Sequence, residues 1–457
     1  MRLRNLLFLM VFIPTMLVGQ TTSLSPYSGF GLGELSPQGY DFSFAMGGVG
    51  IGFYDSLSVN PLNPASYSHF KPNNPILQVG YKGQVVNVSS SVNSEQLNNG
   101  TINNIALGFK FGKKLGWAFG FNPATTVGYK IIVVEEFTDA DGESFPVKYQ
   151  FEGDGGYSKI FMGFSYNIFE KRDSVLGVLS SFNAGINVSL FTGTKRTLYD
   201  ILYESGDFSY YNTRYEESEI ITDFGFDIGF QYQTFLKKVS QSDYINLSLG
   251  VTFNIPKNLK TSWKSNYFTY SFDAVEQILP RDTIFFNDDL HGSTFIPLRM
   301  GLGLMIDINS KLHIGIDFEE QKWDDFKQEV NGFEISNNLI TNSWRISTGI
   351  EYTFVPVSQR KMNTPYLKML TFRVGGRYEN NYLKFQDYQL IDKAVSLGFN
   401  FPLSKSQSYS SINFGMEIGT QGTIDNGLIK QDYINFMIGI TVLPHRFNKW
   451  FLKRKYN

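Results

Sequence analysis

In Tyr433-Ile434-Asn435-Phe436-Met437-Ile438-Gly439-Ile440-Thr441-Val442, near the end of the 457-residue chain, every second side chain is oily. Ile434, Phe436, Ile438, Ile440 and Val442 share one face of an extended chain, and Tyr433, Asn435, Met437, Gly439 and Thr441 share the other. Period two is the signature of a strand with one apolar side. Working backwards, Leu298, Met300, Leu302, Leu304, Ile306 and Ile308 alternate with Arg299, Gly301, Gly303, Met305 and Asp307. Ile245, Leu247, Leu249, Val251, Phe253 and Ile255 alternate in the same way with Asn246, Ser248, Gly250, Thr252 and Asn254. No segment carries a comparably long helical period.

Soluble β-sandwiches also alternate, but their strands are usually about 5 or 6 residues long. Many of these run to ten or more, the length that crosses a bilayer at the tilt of a transmembrane barrel. The faces opposite the oily ones carry both signs of charge: Lys110, Asp223, Asp227, Arg299, Asp317, Glu319, Arg345, Glu351, Arg373, Arg377 and Glu417. Aliphatics outside and charges inside describe a polar lumen behind a lipid-facing wall. The segments are 75–89, 101–111, 115–136, 146–169, 176–200, 212–236, 243–272, 293–308, 311–322, 341–355, 366–382, 391–402, 409–420 and 430–442. Fourteen is an even number, as a single-chain bacterial barrel requires. The fold class is therefore all-β, a transmembrane β-barrel of about 14 antiparallel strands.

Composition agrees. The 40 Lys and Arg balance 42 Asp and Glu to a net charge of −2, which leaves no basic field for nucleic acid. Zero Cys excludes a disulfide framework and any cysteine-ligated metal. No Pro/Gly/Ser linker divides the chain, so its length is read as one large closed sheet. With both ends in the periplasm, the short connections, such as 112–114 and 309–310, are periplasmic, and taken as a set they are rich in Lys and Arg. The longest, 273–292 and 323–340, are outer loops and are acidic. The 43 Gly are expected on the lumen side, where wall and filling approach closely, and Tyr and Trp near the membrane interfaces.

Residues 1–20 read as a secretory signal peptide: Arg2 and Arg4, then the apolar run Leu6 to Val18. Residues 75–442 are the barrel. Between them 21–74, rich in Gly, Ser, Pro and Asn, is expected to be a hatch, because a wide polar lumen leaks unless something fills it. Residues 443–457 form a basic-aromatic periplasmic tail.

Ala45-Met46-Gly47-Gly48, the tripeptide Asn63-Pro64-Ala65, the turn Gly153-Asp154-Gly155-Gly156 leading into Tyr157–Tyr166, and fourteen strands behind a plug resemble the FadL/TodX family of outer-membrane transport proteins, in particular its Bacteroidetes-type members. The resemblance covers essentially the whole mature chain. It implies a barrel closed by an N-terminal hatch, in which Asn63, Pro64, Ala65, Gly47 and Gly48 are hatch or gating residues, and apolar molecules pass sideways into the membrane. The family's lateral opening is a kink in its third strand. Here Asn122-Pro123 interrupts the third segment, and proline cannot donate to a ladder. Asn122 and Pro123 are thus the lateral-opening candidates, the alternative being a bulge with no pore.

No catalytic residue, cofactor or metal site emerges. His69, His291, His313 and His445 stand at no metal-ligand spacing, and His313, beside Asp317 and Glu319, reads as part of a lumen ladder. Asp288-Asp289 and Asp324-Asp325 lack the spacing of an EF-hand. Two functions remain for a protein of the Gram-negative outer membrane. One is passive, hatch-gated uptake of hydrophobic or amphipathic, fatty-acid-like small molecules. The other is a sealed barrel acting as a non-transporting subunit of a secretion or envelope-assembly complex. The implied partners are outer-membrane lipids, a hydrophobic small-molecule ligand and an envelope protein complex.

Overall fold

The structure is a computed structural model that describes residues 25–443 apart from 37–38, 73, 139–141, 143, 174–176, 204–209, 241–242, 274–276, 336–337, 362 and 404–409. The signal segment and nearly all of the tail expected from the sequence lie outside the described residues. In chain order the strands are β1 (Glu34–Leu35), β2 (Ile76–Ser89), β3 (Ser94–Phe111), β4 (Leu115–Pro123), β5 (Thr125–Thr138), β6 (Ser144–Asp173) and β7 (Gly177–Tyr203). There follow β8 (Asn212–Lys238), β9 (Tyr244–Asn254), β10 (Lys257–Phe272), β11 (Ile278–Ile296), β12 (Arg299–Ile308), β13 (Leu312–Gln321) and β14 (Lys327–Val330). The last are β15 (Phe333–Ile335), β16 (Ser343–Thr353), β17 (Thr371–Phe385), β18 (Tyr388–Pro402), β19 (Ser411–Gln421) and β20 (Lys430–Val442).

At membrane level the wall is a closed antiparallel barrel of fourteen strands. It runs β2-β3-β4-β6-β7-β8-β9-β12-β13-β16-β17-β18-β19-β20, and β20 pairs back onto β2. The alternation that defines the strands also sorts their burial. Ile438 and Ile440 are exposed on the outer face, while Asn435, Met437 and Thr441 are buried inside. Large exposed aliphatics and aromatics recur around the circumference, for example Leu107, Phe119, Met162, Phe164, Leu249, Leu302, Ile316, Val374 and Leu397. A surface like that is stable only against lipid, which makes the chain an integral outer-membrane barrel.

Three wall segments read from the sequence as single strands are broken at their outer ends. β4 ends at Pro123 and β5 begins at Thr125; Ile255-Pro256 separates β9 from β10; Pro297-Leu298 separates β11 from β12. Above these breaks β5, β6, β7, β8, β10, β11, β14 and β15 pair in that order. They form a tall sheet on one side of the rim. β6 alone has 30 residues, about 100 Å along the strand.

This sheet corrects two expectations. Most of 273–292 is strand and not loop: β10 and β11 pair from Lys257↔Ile296 to Phe272↔Ile278. Within 323–340, β14 pairs onto β11 and β15 onto β14. Gly153-Asp154-Gly155-Gly156 is likewise not a turn but lies inside β6, paired on both sides. The positive φ of Gly155 (97°) and Gly156 (127°) lets the strand bend where the sheet leaves the barrel.

Candidate functional site

The functional question is what occupies the lumen. Residues 40–70 run round its inner wall, touching the wall strands in descending order. Asp41 faces Gly439 of β20, Phe44 faces Gly415 of β19 and Ala45 faces Gly398 of β18. Met46 faces Gly375 of β17 and Gly349 of β16, Val49 faces Gly315 of β13, and Ile51 faces Gly303 of β12 and Gly250 of β9. Asn63 then meets Gly229 of β8, Pro64 Gly185 of β7, Tyr67 Gly163 and Gly116 of β6 and β4, and Phe70 Gly108 of β3. The circuit is completed on β2, where the Gln78 side chain accepts the Val59 amide.

These glycines sit opposite one another in the ladder, as in Gly375↔Gly349, Gly349↔Gly315, Gly303↔Gly250 and Gly229↔Gly185. They form a belt with no side chains on its inner face. A Cβ on Gly349 would stand 2.6 Å from the Met46 carbonyl oxygen, and one on Gly315 2.6 Å from Val49. Any other residue would push the segment off the wall.

Polar groups fix it there. Asp317 Oδ2 accepts the amides of Gly50 (2.6 Å) and Ile51 (2.7 Å). Gln231 Nε2 donates to the carbonyls of Gly52 (3.1 Å) and Phe53 (3.3 Å). Ser165 Oγ donates to Ala65 O (2.7 Å), and Tyr67 Oη to Asn187 Oδ1 (3.1 Å). Lys110 Nζ bonds the Ser68 carbonyl, and Asn413 bonds Asp41.

The residues singled out in the sequence fall on this circuit. Asn63, fully buried, donates through Nδ2 to Ile51 O (2.8 Å) and Phe230 O (3.1 Å). Its Oδ1 accepts the Ala65 amide (3.0 Å), capping the short helix Pro64–His69. Gly47 and Gly48 both have positive φ, and the Gly47 amide donates to Ser396 Oγ (2.9 Å). Asn122 and Pro123 stand apart, at the outer end of β4. There the Ser36 amide donates to Ala124 O (2.9 Å), and β1 pairs Glu34↔Thr126 and Leu35↔Thr125.

Apart from Asp317 and Lys110, which bond the backbone of the segment, the charges expected in the lumen form ion pairs. Arg373 Nε meets Glu351 (2.6 Å), and Arg377 meets both Glu417 (2.9 Å) and Asp392 (3.0 Å). Arg345 pairs with Glu319, Lys159 with Asp227, and His313 Nδ1 with Glu351 (2.8 Å). Above the lipid belt, burial pulls the Lys195 ammonium below its ordinary value and pushes the facing Glu219 carboxyl up; each opposes the shift of the other. Among the described residues no group of three or more His, Asp or Glu side chains is arranged to hold a metal ion.

Beyond the girdle the lumen is also covered on the outer side, which the sequence did not signal. Tyr27, Leu32, Trp323, Phe326, Tyr382 and Leu383 form one buried apolar cluster from the N-terminal segment, the 323–340 connection and the rim of β17. Trp323 lies against Tyr382 with ring centroids 4.7 Å apart. Under this lid a cavity of about 100 Å³ is lined by Leu32, Leu35, Ala124, Tyr157, Phe191, Ile221 and Trp323. A polar recess of about 40 Å³ lies at the break itself, lined by Glu34, Lys82, Gln84, Asn99, Asn103 and Pro123. On the periplasmic side a cavity of about 370 Å³ is walled by charges, among them Asp55, Asp307, His313, Glu351 and Arg373.

Comparison with known proteins gives the following. The family model described as BamG matches residues 1–457. No curated protein matches the chain. Among solved structures, the CymD monoaromatic hydrocarbon channel superposes with a TM-score of 0.54 at 14% identity, over 91% of this chain and 99% of that one. A Pseudomonas aeruginosa FadL homologue gives 0.51 at 11% identity (90% and 99%). The Ralstonia pickettii toluene transporter TbuX gives 0.51 at 12% identity (89% and 99%). The chain therefore has the fold of FadL/TodX-like outer-membrane barrels; at such identities the likeness is one of fold.

Proposed function

The chain belongs to the BamG family, and from that premise we propose that it works as a sealed outer-membrane barrel, a non-transporting subunit of an envelope complex. In this reading residues 21–74 are a permanent plug, not a gate, and the tall outer sheet is the platform on which partner proteins assemble. The observation that carries it is the glycine girdle: the segment meets thirteen wall strands at glycines and the fourteenth, β2, through the Gln78 side chain. Opening a path would break the Asp317, Gln231, Asn63 and Ser165 bonds together. Paired charges in the lumen fit the same role, because a buried ion pair specifies one arrangement more than it admits a passing apolar molecule.

Planar-bilayer recording on the purified full chain, with copurification from native membranes, tests this reading. The expected outcome is no steady conductance and a stoichiometric protein partner. Steady conductance, or isolation as a lone protein, removes it.

A second reading, uptake of small apolar molecules with lateral exit at Asn122 and Pro123, is favoured by the cavity beside Ala124. Its size restricts the cargo. An apolar cavity of roughly 150 Å³ holds a benzene ring, so about 100 Å³ admits at most one small ring and excludes a long acyl chain. Saturable toluene binding that is abolished by Ile221→Trp, with uptake reduced by Pro123→Val, supports this reading. Absence of both effects eliminates it.

A further inference from the structure

Beyond Thr126, β5 is paired on one side only among the described residues. Its residues Val127 to Thr138 run beside Gly155 to Ser144 of β6. Its other edge takes β1 over Thr125 and Thr126 alone. β3 pairs with β4 from Ile105 to Phe111, and among the described residues no strand lies beside the β5 edge beyond Thr126. From Ile131 to Thr138 this leaves an open edge about 27 Å long.

The edge stands in water, not lipid. On the outer face of β6 the apolar series Ile168, Tyr166, Phe164, Met162 and Ile160 gives way to Asp154, Glu152, Gln150 and Lys148. Those polar residues lie directly opposite the outer face of β5, in the pairs Lys130↔Glu152, Ile132↔Gln150 and Val134↔Lys148. Yet β5 reads Lys130-Ile-Ile-Val-Val-Glu-Glu-Phe137, and Ile132 and Val134 are 50% and 55% exposed. A long, flat, β-branched edge in water is the surface that proteins normally blunt with Lys, Pro or a bulge; none of these interrupts Ile131–Phe137.

Which backbone groups face outwards is fixed by Gly128. Its amide donates to Ser28 Oγ (3.0 Å) and its carbonyl accepts from the same hydroxyl (3.4 Å), both on the side away from β6. Backbone direction alternates along a strand, so the N–H and C=O of Lys130, Ile132, Val134 and Glu136 point to the open edge as well.

We propose that this edge of β5 receives an extended segment of a second protein by strand addition. The segment is β-branched or aromatic at alternate positions and carries Lys or Arg where it passes Glu135 and Glu136. β1 is the internal precedent, since the chain already adds a strand of its own to the same edge. A second copy of the chain fits less well: two barrels inserted the same way run both β5 strands outwards, in parallel, whereas β1 and β6 both pair with β5 antiparallel. The inference deepens the docking role proposed above and rests on it.

The test is photo-crosslinking in native outer membranes, with a photoreactive residue placed in turn at each position from 130 to 136 of the full chain. The expected result is one segment of one other protein, whose linked residues shift by one for each step along β5. Ile132→Pro and Val134→Pro remove donors on the open side while leaving the β6 ladder in place, because an edge strand tolerates proline there. They are expected to lower the yield about tenfold. Glu136→Lys, which alters no backbone group, is expected to lower it severalfold. Barrel assembly is checked in each variant by heat-modifiable migration.

Crosslinks that scatter without register overturn the proposal, as do crosslinks back to this chain, yields unchanged by all three variants, or no crosslink at all. A conducting barrel that still gives the register removes the sealed-plug reading and leaves strand addition standing.

Discussion

Replacing Asn63 by Asp changes one terminal group at the point where the N-terminal segment is held most closely. Oδ1 keeps the Ala65 amide, but an oxygen now faces the carbonyls of Ile51 and Phe230, which Nδ2 had bonded at 2.8 and 3.1 Å. The site is fully buried, so the carboxyl must take up a proton to stay. With an ordinary Asp near 3.9 and about 1.36 kcal/mol per unit, holding it neutral costs up to roughly 4 kcal/mol at pH 7 and roughly 1.5 at pH 5. The folded-state pKa is raised, so stability is lost as pH rises above the unfolded value. At about 1.4 kcal/mol per tenfold, local opening of the segment should rise about a thousandfold at pH 7 and about tenfold at pH 5.

Asn63→Ala loses all three bonds but has no group to titrate, so its effect should not depend on pH. Hydrogen exchange of the Ala65, Ser66 and Tyr67 amides in nanodiscs, corrected for intrinsic rates, reads both variants. Protection within about threefold of the parent at pH 7 in the Asp variant, or equal pH dependence in the Ala variant, refutes the argument.

Arg377→Met leaves Glu417, Asp392 and the Tyr433 hydroxyl without their guanidinium and should destabilise the barrel by about 3–5 kcal/mol; the triple change with Glu417→Gln and Asp392→Asn should recover much of the loss in thermal melting. Gly250→Val drives a side chain into the Ile51 backbone; the barrel should still assemble, while residues 40–70 become protease-sensitive and conductance appears in planar bilayers. Trp323→Ala removes the ring packed against Tyr382 and should cost about 3–5 kcal/mol locally, seen as faster exchange in the described residues of 25–36 with the girdle unchanged.

The wall was legible because alternation is a local property. Lipid on one side and a polar lumen on the other write period two into each spanning segment, and Ile434 to Val442 shows it without reference to any other residue. The lumen glycines were legible for a related reason: a wall face that must meet another backbone cannot carry side chains. The outer sheet was not. β10 and β11 stand in water, so neither face has to be oily, and Pro280, Asp282 and the register shifts in that hairpin read as a loop. Gly153 to Gly156 read as a turn because glycines that permit a bend resemble glycines that permit a reversal.

The sequence by itself determined a fourteen-strand outer-membrane barrel with its strands in order and its charges turned inwards. Only the tertiary structure decided how the lumen is filled and where the wall is open. The girdle depends on contacts such as Gly50 to Asp317 and Gly47 to Ser396, some 267 and 349 residues apart. The open edge of β5 depends on the break at Pro123, beyond which β3 no longer pairs with this part of the chain. Neither leaves a periodic mark, because the partners meet through backbone and single side chains and not through a repeated face.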